Sequence, residues 1–233
     1  MSSEELYRSI GLRDRGRIAA NDLAIDGLAM DPGRDSRLGI SLILPAALHR
    51  EAYAALIGGL GSIEPGQYYY PLEDLHTTVF DFRSCSEDYL RDEAAEAAFL
   101  SIARARCAGV DAPRILYRGV CCGREACLIP GYDGDALVAL REGIRADMAA
   151  HGLVNSERYV SRSAHCSFLR FAAPLRSPPD FLAACDAFGN PEFGAPSFSS
   201  ALLVEHDWYN RAASVRVIGE CAFGTTGWSG RCC

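Results

Sequence analysis

The pattern of hydrophobic and polar positions predicts a series of secondary-structure elements that occurs twice along the chain. An apolar run at 38–44 first predicts a buried strand. A helix, a strand, a helix and a hairpin then follow, predicted at 46–60, 75–80, 87–108 and 114–129. The same four elements recur, predicted at 135–151, at 164–169, from 179 onward and at 200–223. The offset between His76 and His165, 89 residues, aligns both series and indicates two similar lobes related by pseudo-symmetry.

Residues 1–36 precede the repeated part and differ from it in composition. They are rich in arginine, aspartate and glycine, and they end in the turn-forming run at 31–36. We predict an N-terminal arm here, partly helical or extended, with a short helix from Ser3 to about Ile10. Residues 37–233 are predicted to form one bilobal domain, with lobes built from about 46–130 and 135–223.

The composition is typical of a globular protein, because 49% of the residues are hydrophobic and 23% are charged. No run approaches the roughly 20 apolar residues that a membrane span needs. The first residues are polar and charged, without the apolar core of a secretory signal. We therefore expect a cytoplasmic protein, monomeric and without membrane association.

All 23 basic residues are arginine, since the chain contains no lysine. This excludes enzymes that use a lysine Schiff base, a covalent nucleotidyl-lysine or a Walker-type phosphate loop. The net charge of −7 disfavours DNA and long nucleic acid, which need a broad basic face. A few local arginines could still hold a small phosphate ester.

Ten cysteines raise the question of metal binding or disulfides. Most are single residues among apolar neighbours, and neither the group Cys121, Cys122 and Cys127 nor the pair Cys232-Cys233 has the C-x-x-C spacing of a zinc site. Buried free thiols are the expected state, with a redox or metal cluster of Cys121, Cys122 and Cys127 as the alternative.

The candidate chemistry lies in two similar motifs, His76-Thr77-Thr78-Val79 and His165-Cys166-Ser167-Phe168. They occupy equivalent places in the two series of elements. Residues i and i+2 of a strand point to the same face, so each histidine should project together with Thr78 or Ser167. If the lobes pack around a pseudo-two-fold axis, two imidazoles and two hydroxyls meet in one cleft.

Such a cleft suits the hydrolysis of a phosphodiester. One neutral imidazole can take a proton from water, while a protonated one donates to the leaving oxygen. The two hydroxyls can donate hydrogen bonds to the phosphate oxygens. This chemistry needs neither metal nor cofactor, and we expect none.

With these motifs the chain resembles the two-histidine (2H) phosphoesterase superfamily, which includes 2′-5′ RNA ligase-like proteins and cyclic phosphodiesterases. The resemblance covers about residues 37–225. It implies an α+β fold of two pseudo-symmetric lobes, each an antiparallel sheet flanked by helices, around a central groove. It also implies catalytic roles for His76 and His165, phosphate binding by Thr78 and Ser167, and a substrate contact by Arg170. Serine in place of threonine in the second motif, and Ala164 in place of a proline, mark a divergent branch.

Aromatic residues next to the motifs are candidates for binding a base. Tyr70 precedes the first motif and Tyr159 the second, and stacking on a nucleobase is a reasonable use of either ring. Packing in the protein interior is the plainer interpretation of each.

The sequence thus predicts a phosphodiesterase that hydrolyses a 2′,3′-cyclic phosphate or a 2′-5′ linkage in a nucleotide or short RNA. Three alternatives stay open. One is ligase-like activity that runs the same chemistry backwards, and another is a nucleotide- or RNA-binding module without turnover. The third is a zinc hydrolase that uses His76, His165 and His206 with a cysteine.

Overall fold

The structure is a computed structural model that describes residues 2–224. The cysteine pair at 232–233 and the last residues of the predicted 37–233 domain lie outside this range. Within it the chain forms five α-helices: α1 Ser3–Ala19, α2 Arg50–Ile63, α3 Glu93–Ala108, α4 Ala136–Ala150 and α5 Pro178–Ala187. None of these helices is long and apolar enough to cross a membrane.

The strands of the described residues form two sheets. Their bounds are β1 Leu38–Pro45, β2 Tyr68–Tyr69, β3 His76–Ser86, β4 Leu116–Arg118, β5 Cys121–Cys122, β6 Ala126–Ile129, β7 Gly131–Tyr132, β8 Cys166–Arg170, β9 Glu192–Gly194, β10 Ser200–Asp207 and β11 Arg216–Ala222. The larger sheet has the order β11-β10-β1-β3-β8-β6-β5, with β2 also paired to β8, and the smaller one is β7-β4-β9. The pairs between these strands are antiparallel. The predicted α+β class is confirmed.

The two strands that begin at the motifs meet in the middle of the larger sheet. A single residue pair, Thr77 with Cys166, joins β3 to β8. These two residues occupy equivalent positions of the two motifs, as a pseudo-two-fold axis between the strands would require. The hairpin β5–β6 of the first predicted half pairs with β8 of the second half. The hairpin β10–β11 of the second half pairs with β1, which is next to β3 of the first half.

Gly119 divides the first strand of the hairpin that the sequence predicts at 114–129. Its φ of 73° is a left-handed conformation that favours glycine. A Cβ atom at this position would lie 2.5 Å from the carbonyl oxygen of Gly189. The chain therefore turns here, and β4 joins the smaller sheet while β5 joins the larger one.

Two predicted helices begin later than the sequence indicates. Strand β3 continues to Ser86, so α3 begins at Glu93 rather than at 87, with the Asp92 side chain accepting a hydrogen bond from the backbone N–H of Ala95. Helix α2 begins at Arg50 rather than at 46 because β1 extends to Pro45.

The N-terminal helix is longer than predicted, because it ends at Ala19 and not near Ile10. A capping box between Ser2 and Glu5 satisfies its first N–H groups. The buried Tyr7 hydroxyl donates to the carbonyl of Gly131 at 3.1 Å, and the Asp14 carboxylate accepts from the backbone N–H of Arg124 at 3.2 Å. These bonds hold α1 against the segment that follows β4. The boundary between residues 36 and 37 stays a prediction.

Candidate active site

A cleft of about 670 Å³ opens beside the junction of β3 and β8. Every residue that the sequence predicts for the site lies along its walls, namely His76, Thr78, His165, Ser167, Arg170, Tyr70 and Tyr159. The cleft is also lined by residues of α1, of the β5–β6 hairpin and of the loop before β8. Three separate parts of the chain therefore surround the two histidines.

The alternation of the strands explains why the motif residues meet. Thr77 and Val79 are fully buried in the core, whereas His76 and Thr78 are half-buried and line the cleft. In the second motif Cys166 and Phe168 are fully buried, while His165 and Ser167 line the cleft. In each motif two buried residues thus anchor the strand, while the histidine and the hydroxyl residue two positions later project towards the cleft.

A backbone carbonyl fixes the His76 ring. The Nδ1 atom lies 3.0 Å from the carbonyl oxygen of Asp74, and since a carbonyl can only accept, Nδ1 carries the hydrogen. In the neutral ring this leaves a lone pair on Nε2. Burial, opposed by the Asp74 bond and aided by the nearby His206, lowers the pKa of His76 to about 4.

A hydroxyl group holds the His165 ring. The Nδ1 atom lies 2.8 Å from the Ser163 hydroxyl, which can donate or accept. When the hydroxyl donates, the neutral His165 ring carries its hydrogen on Nε2, opposite to His76. Burial, followed by the positive charge of Arg141, lowers the pKa of His165 to about 4.

Arg141 is a buried residue next to the site that sequence reasoning missed. Its side chain extends from α4 and is 1% exposed. Its Nε donates to the carbonyl of Val79 at 2.7 Å, and its Nη2 donates to the carbonyls of Thr78 at 3.0 Å and Ser163 at 2.8 Å. One guanidinium group therefore fixes the first motif strand and the residue that holds the His165 ring.

A third histidine, His206 of β10, lines the same cleft. The His206 ring is 6.4 Å from the His76 ring, centre to centre. Its Nδ1 donates to the carbonyl of Asp207 at 2.7 Å, and its Nε2 lies 2.8 Å from the Ser41 hydroxyl. That hydroxyl is also 2.6 Å from the Asp81 carboxyl group. Burial raises the pKa of Asp81 and lowers that of His206.

The zinc-site alternative finds no matching geometry. Within residues 2–224 no three histidine, cysteine, aspartate or glutamate side chains are arranged to hold a metal ion. Both ring nitrogens of His206 already have hydrogen-bond partners. Residues 2–224 therefore give no ligand set for zinc.

The other candidate substrate-binding residues differ in exposure. Arg170 donates from Nε to the Tyr70 hydroxyl at 2.8 Å, and its guanidinium carbon lies 4.8 Å from the centre of the Trp208 ring. The Tyr70 side chain is buried, so it orients Arg170 and offers little ring surface. Tyr159 is 62% exposed and leaves its ring accessible at the edge of the cleft.

The cysteines of the alternative cluster are buried away from the histidines. Cys122 lies 2.7 Å from Cys127 across the β5–β6 hairpin and 3.5 Å from Cys185 of α5, measured between sulfur atoms. Seven of the eight cysteines in the described residues are buried, as expected for free thiols, and Cys85 is intermediate.

Comparison with solved structures identifies the fold. The protein TT0787 of Thermus thermophilus is 18% identical, with a TM-score of 0.56 over 81% of this chain and 99% of that chain. A protein described as a phosphoesterase is 14% identical, with a TM-score of 0.50 over 81% and 99%. E. coli LigT complexed with 3′-AMP is 14% identical, with a TM-score of 0.48 over 81% and 98%.

No family model matches the sequence, and the search of curated proteins finds no similar sequence. The fold assignment rests on the first two structures, because the match includes 99% of each of those chains. The chain has the fold of the two-histidine phosphoesterases, and the predicted resemblance is confirmed at the level of the fold.

Proposed function

We propose that the protein is a metal-independent phosphodiesterase that hydrolyses a 2′,3′-cyclic phosphate or a 2′-5′ phosphodiester in a nucleotide or short RNA. The observation that carries this proposal is the pair His76 and His165 in one cleft, each next to a strand hydroxyl. Because one chain supplies all of these residues, we propose a monomer as the active form.

His76 acts as the general base. Its Nδ1–H is engaged by the Asp74 carbonyl, so the free lone pair of the neutral ring is on Nε2. A pKa of about 4 keeps this ring neutral at physiological pH. It removes a proton from water as the oxygen attacks phosphorus.

His165 acts as the general acid towards the leaving ribose oxygen. In the free protein this imidazole is also neutral at pH 7, because its pKa is lowered to about 4. A bound phosphodiester brings a negative charge beside the ring and favours the imidazolium form. Substrate binding therefore favours the protonated form of His165, which then donates its proton to the leaving ribose oxygen.

Thr78, Ser167 and Arg170 stabilise the negative charge that grows on the non-bridging oxygens. The two hydroxyls follow the histidines on the same strand face and line the same cleft. Arg170 supplies a permanent charge, and its bond to Tyr70 fixes the direction of the guanidinium group. Pre-oriented donors of this kind stabilise the transition state more strongly than they stabilise the bound substrate.

The proposal is tested with a panel of 2′,3′-cyclic nucleotides and 2′-5′ dinucleotides, with and without EDTA. We expect EDTA-resistant hydrolysis that falls about 10²- to 10⁴-fold in His76→Ala and His165→Ala. His151→Ala is the matched control, since His151 is exposed at the end of α4, and it should retain full activity. Loss of activity in EDTA would refute the metal-free mechanism, and full activity of both site variants would refute the site.

The ligase-like alternative uses the same two histidines with the steps reversed. It is distinguished by incubating a 2′,3′-cyclic phosphate end with a 5′-hydroxyl end and measuring joined product. Tight binding of every ester in the panel without turnover would favour the binding-module alternative instead.

A further inference from the structure

The charge of the cleft is opposite to the charge of the chain. The whole sequence has 30 acidic residues against 23 arginines. The walls of the cleft instead carry six arginines and three carboxyl groups. A local excess of positive charge in an acidic protein attracts an anion to that place.

Five of the six arginines lie outside the two strands that carry the motifs. Helix α1 contributes Arg13 and Arg17, which lie four positions apart on one face of the helix. The turn after β5 contributes Arg124, and the loop before β8 contributes Arg158 and Arg162. We call these five arginines the rim. Four of the five are exposed, with 66% and 53% exposure for the side chains of Arg13 and Arg158, whereas Arg124 is half-buried like the two histidines.

Arg158 and Arg162 are the rim arginines most available to a ligand, because the other three form close ion pairs with Asp14 or Asp22. Arg162 is exposed and pairs with no carboxylate among the described residues. Arg158 reaches Glu125 only at 3.7 Å, and both side chains are more than half exposed. Exposed ion pairs contribute little free energy, so a phosphate group can replace a carboxylate partner at low cost. A phosphate also accepts two parallel hydrogen bonds from one guanidinium group.

We propose that the rim is a second phosphate subsite, and that the natural substrate carries a further phosphate group beyond the scissile one. This deepens the proposed function, on which it rests. A second phosphate can be a 5′-phosphate on the same nucleotide or the next linkage of an oligonucleotide. The exposed Tyr159 ring lies in the same loop as Arg158 and Arg162, where it can stack on a base.

Binding calorimetry tests the subsite without requiring turnover. The first pair of probes is adenosine 3′,5′-bisphosphate against adenosine 3′-monophosphate. The second pair is a dinucleotide 3′-phosphate against the same compound with an uncharged methylphosphonate linkage. Because a guanidinium group forms charge-assisted hydrogen bonds with phosphate, we expect about tenfold tighter binding of the charged member in at least one pair, which identifies the source of the second phosphate. This preference should disappear in 1 M salt.

The variant Arg158→Gln/Arg162→Gln should reduce the preference to about twofold or less. The matched control is Arg34→Gln/Arg114→Gln, which removes the same charge from two exposed arginines outside the cleft and should leave the preference unchanged. Equal binding within both pairs overturns the subsite, as does an equal loss of preference in the control.

The same proteins are then assayed on adenosine 2′,3′-cyclic phosphate with and without a 5′-phosphate, together with the esters of the panel above. Hydrolysis without any preference for a second phosphate refutes the subsite and leaves the proposed function standing. A clear preference in binding with no hydrolysis of any ester refutes the proposed function and leaves the subsite standing.

Discussion

Replacing Arg141 by leucine tests whether one buried cation holds both halves of the site together. The substitution keeps an apolar side chain in α4 but removes three hydrogen bonds to backbone carbonyls. Bonds from a charged donor contribute about 1.5–3 kcal/mol each, and carbonyls left buried without a partner add to the cost. This loss is partly offset, because the wild type buries a cation that has no ion pair among the described residues. Removing that desolvation cost stabilises the folded variant by several kcal/mol. We expect a net loss of about 2–4 kcal/mol in the free energy of unfolding.

The same variant should change the chemistry of His165. Ser163 loses the bond to its carbonyl, and its hydroxyl is the partner of His165 Nδ1. Poor orientation of a catalytic group can cost about 10²-fold in rate. The pKa of His165 should rise, because the charge of Arg141 is one cause of its depression.

Urea denaturation followed by circular dichroism gives the stability, and NMR titration of the imidazole gives the pKa. Arg106→Leu is the control, since Arg106 forms an ion pair with Asp147 near the protein surface and should cost only about 0–1 kcal/mol. A loss below about 1 kcal/mol in Arg141→Leu, together with an unchanged pKa of His165, would refute this account of the residue.

Three further predictions concern the motif residues. The kcat/KM for a cyclic ester should fall about tenfold per pH unit above about pH 5, because the free protein loses its imidazolium as the pH rises through about 4. The pH optimum of kcat should lie higher, and a flat profile of kcat/KM from pH 5 to 9 would contradict this prediction. Thr78→Ala and Ser167→Ala should each lower kcat about 10²- to 10³-fold, while Thr78→Ser should retain most activity. A change in KM alone, measured by steady-state kinetics on the cyclic ester, would contradict this prediction. The free energy of unfolding should rise from pH 4 to 6.5, because the unfolded chain binds protons on His76 and His165 that the folded protein does not bind. Urea titrations in which His76→Ala shows the same rise as the wild type would contradict this prediction.

The sequence predicted the parts of the site that depend on local pattern. A period of two along a strand was sufficient to place His76 with Thr78 and His165 with Ser167 on the same face. The equal offset of the other elements indicated two similar lobes whose motifs could meet in one cleft, and the Thr77–Cys166 pair joins the two motif strands.

The residues that the sequence missed depend on contacts between distant segments. Arg141 occupies a position in the apolar stripe of α4, between Leu140 and Ile144, and a charged residue in such a stripe is the one signal that could have found it. Its carbonyl partners come from β3 and from the loop before β8, which no spacing within α4 indicates. Asp81 and Ser41 meet His206 only because β1 lies between β3 and β10.

The turn at Gly119 was missed for the same reason. A glycine within an apolar run is compatible with a continuous strand. Here the backbone of Gly189 approaches from 70 residues further along the chain, and only a residue without a side chain fits beside it. The sequence alone gives no information about that approach.

The most direct test of the account compares two esters that differ in how much help their leaving group needs. A nucleoside 2′,3′-cyclic phosphate must have its leaving ribose oxygen protonated, whereas a 4-nitrophenyl phosphodiester releases a stable anion without an acid. We predict that His165→Ala loses about 10²- to 10⁴-fold on the cyclic ester and much less on the nitrophenyl ester, while His76→Ala loses activity on both. Equal losses of His165→Ala on the two esters would contradict the assignment of His165 as the acid, and wild-type rates in both variants would contradict the two-histidine mechanism itself.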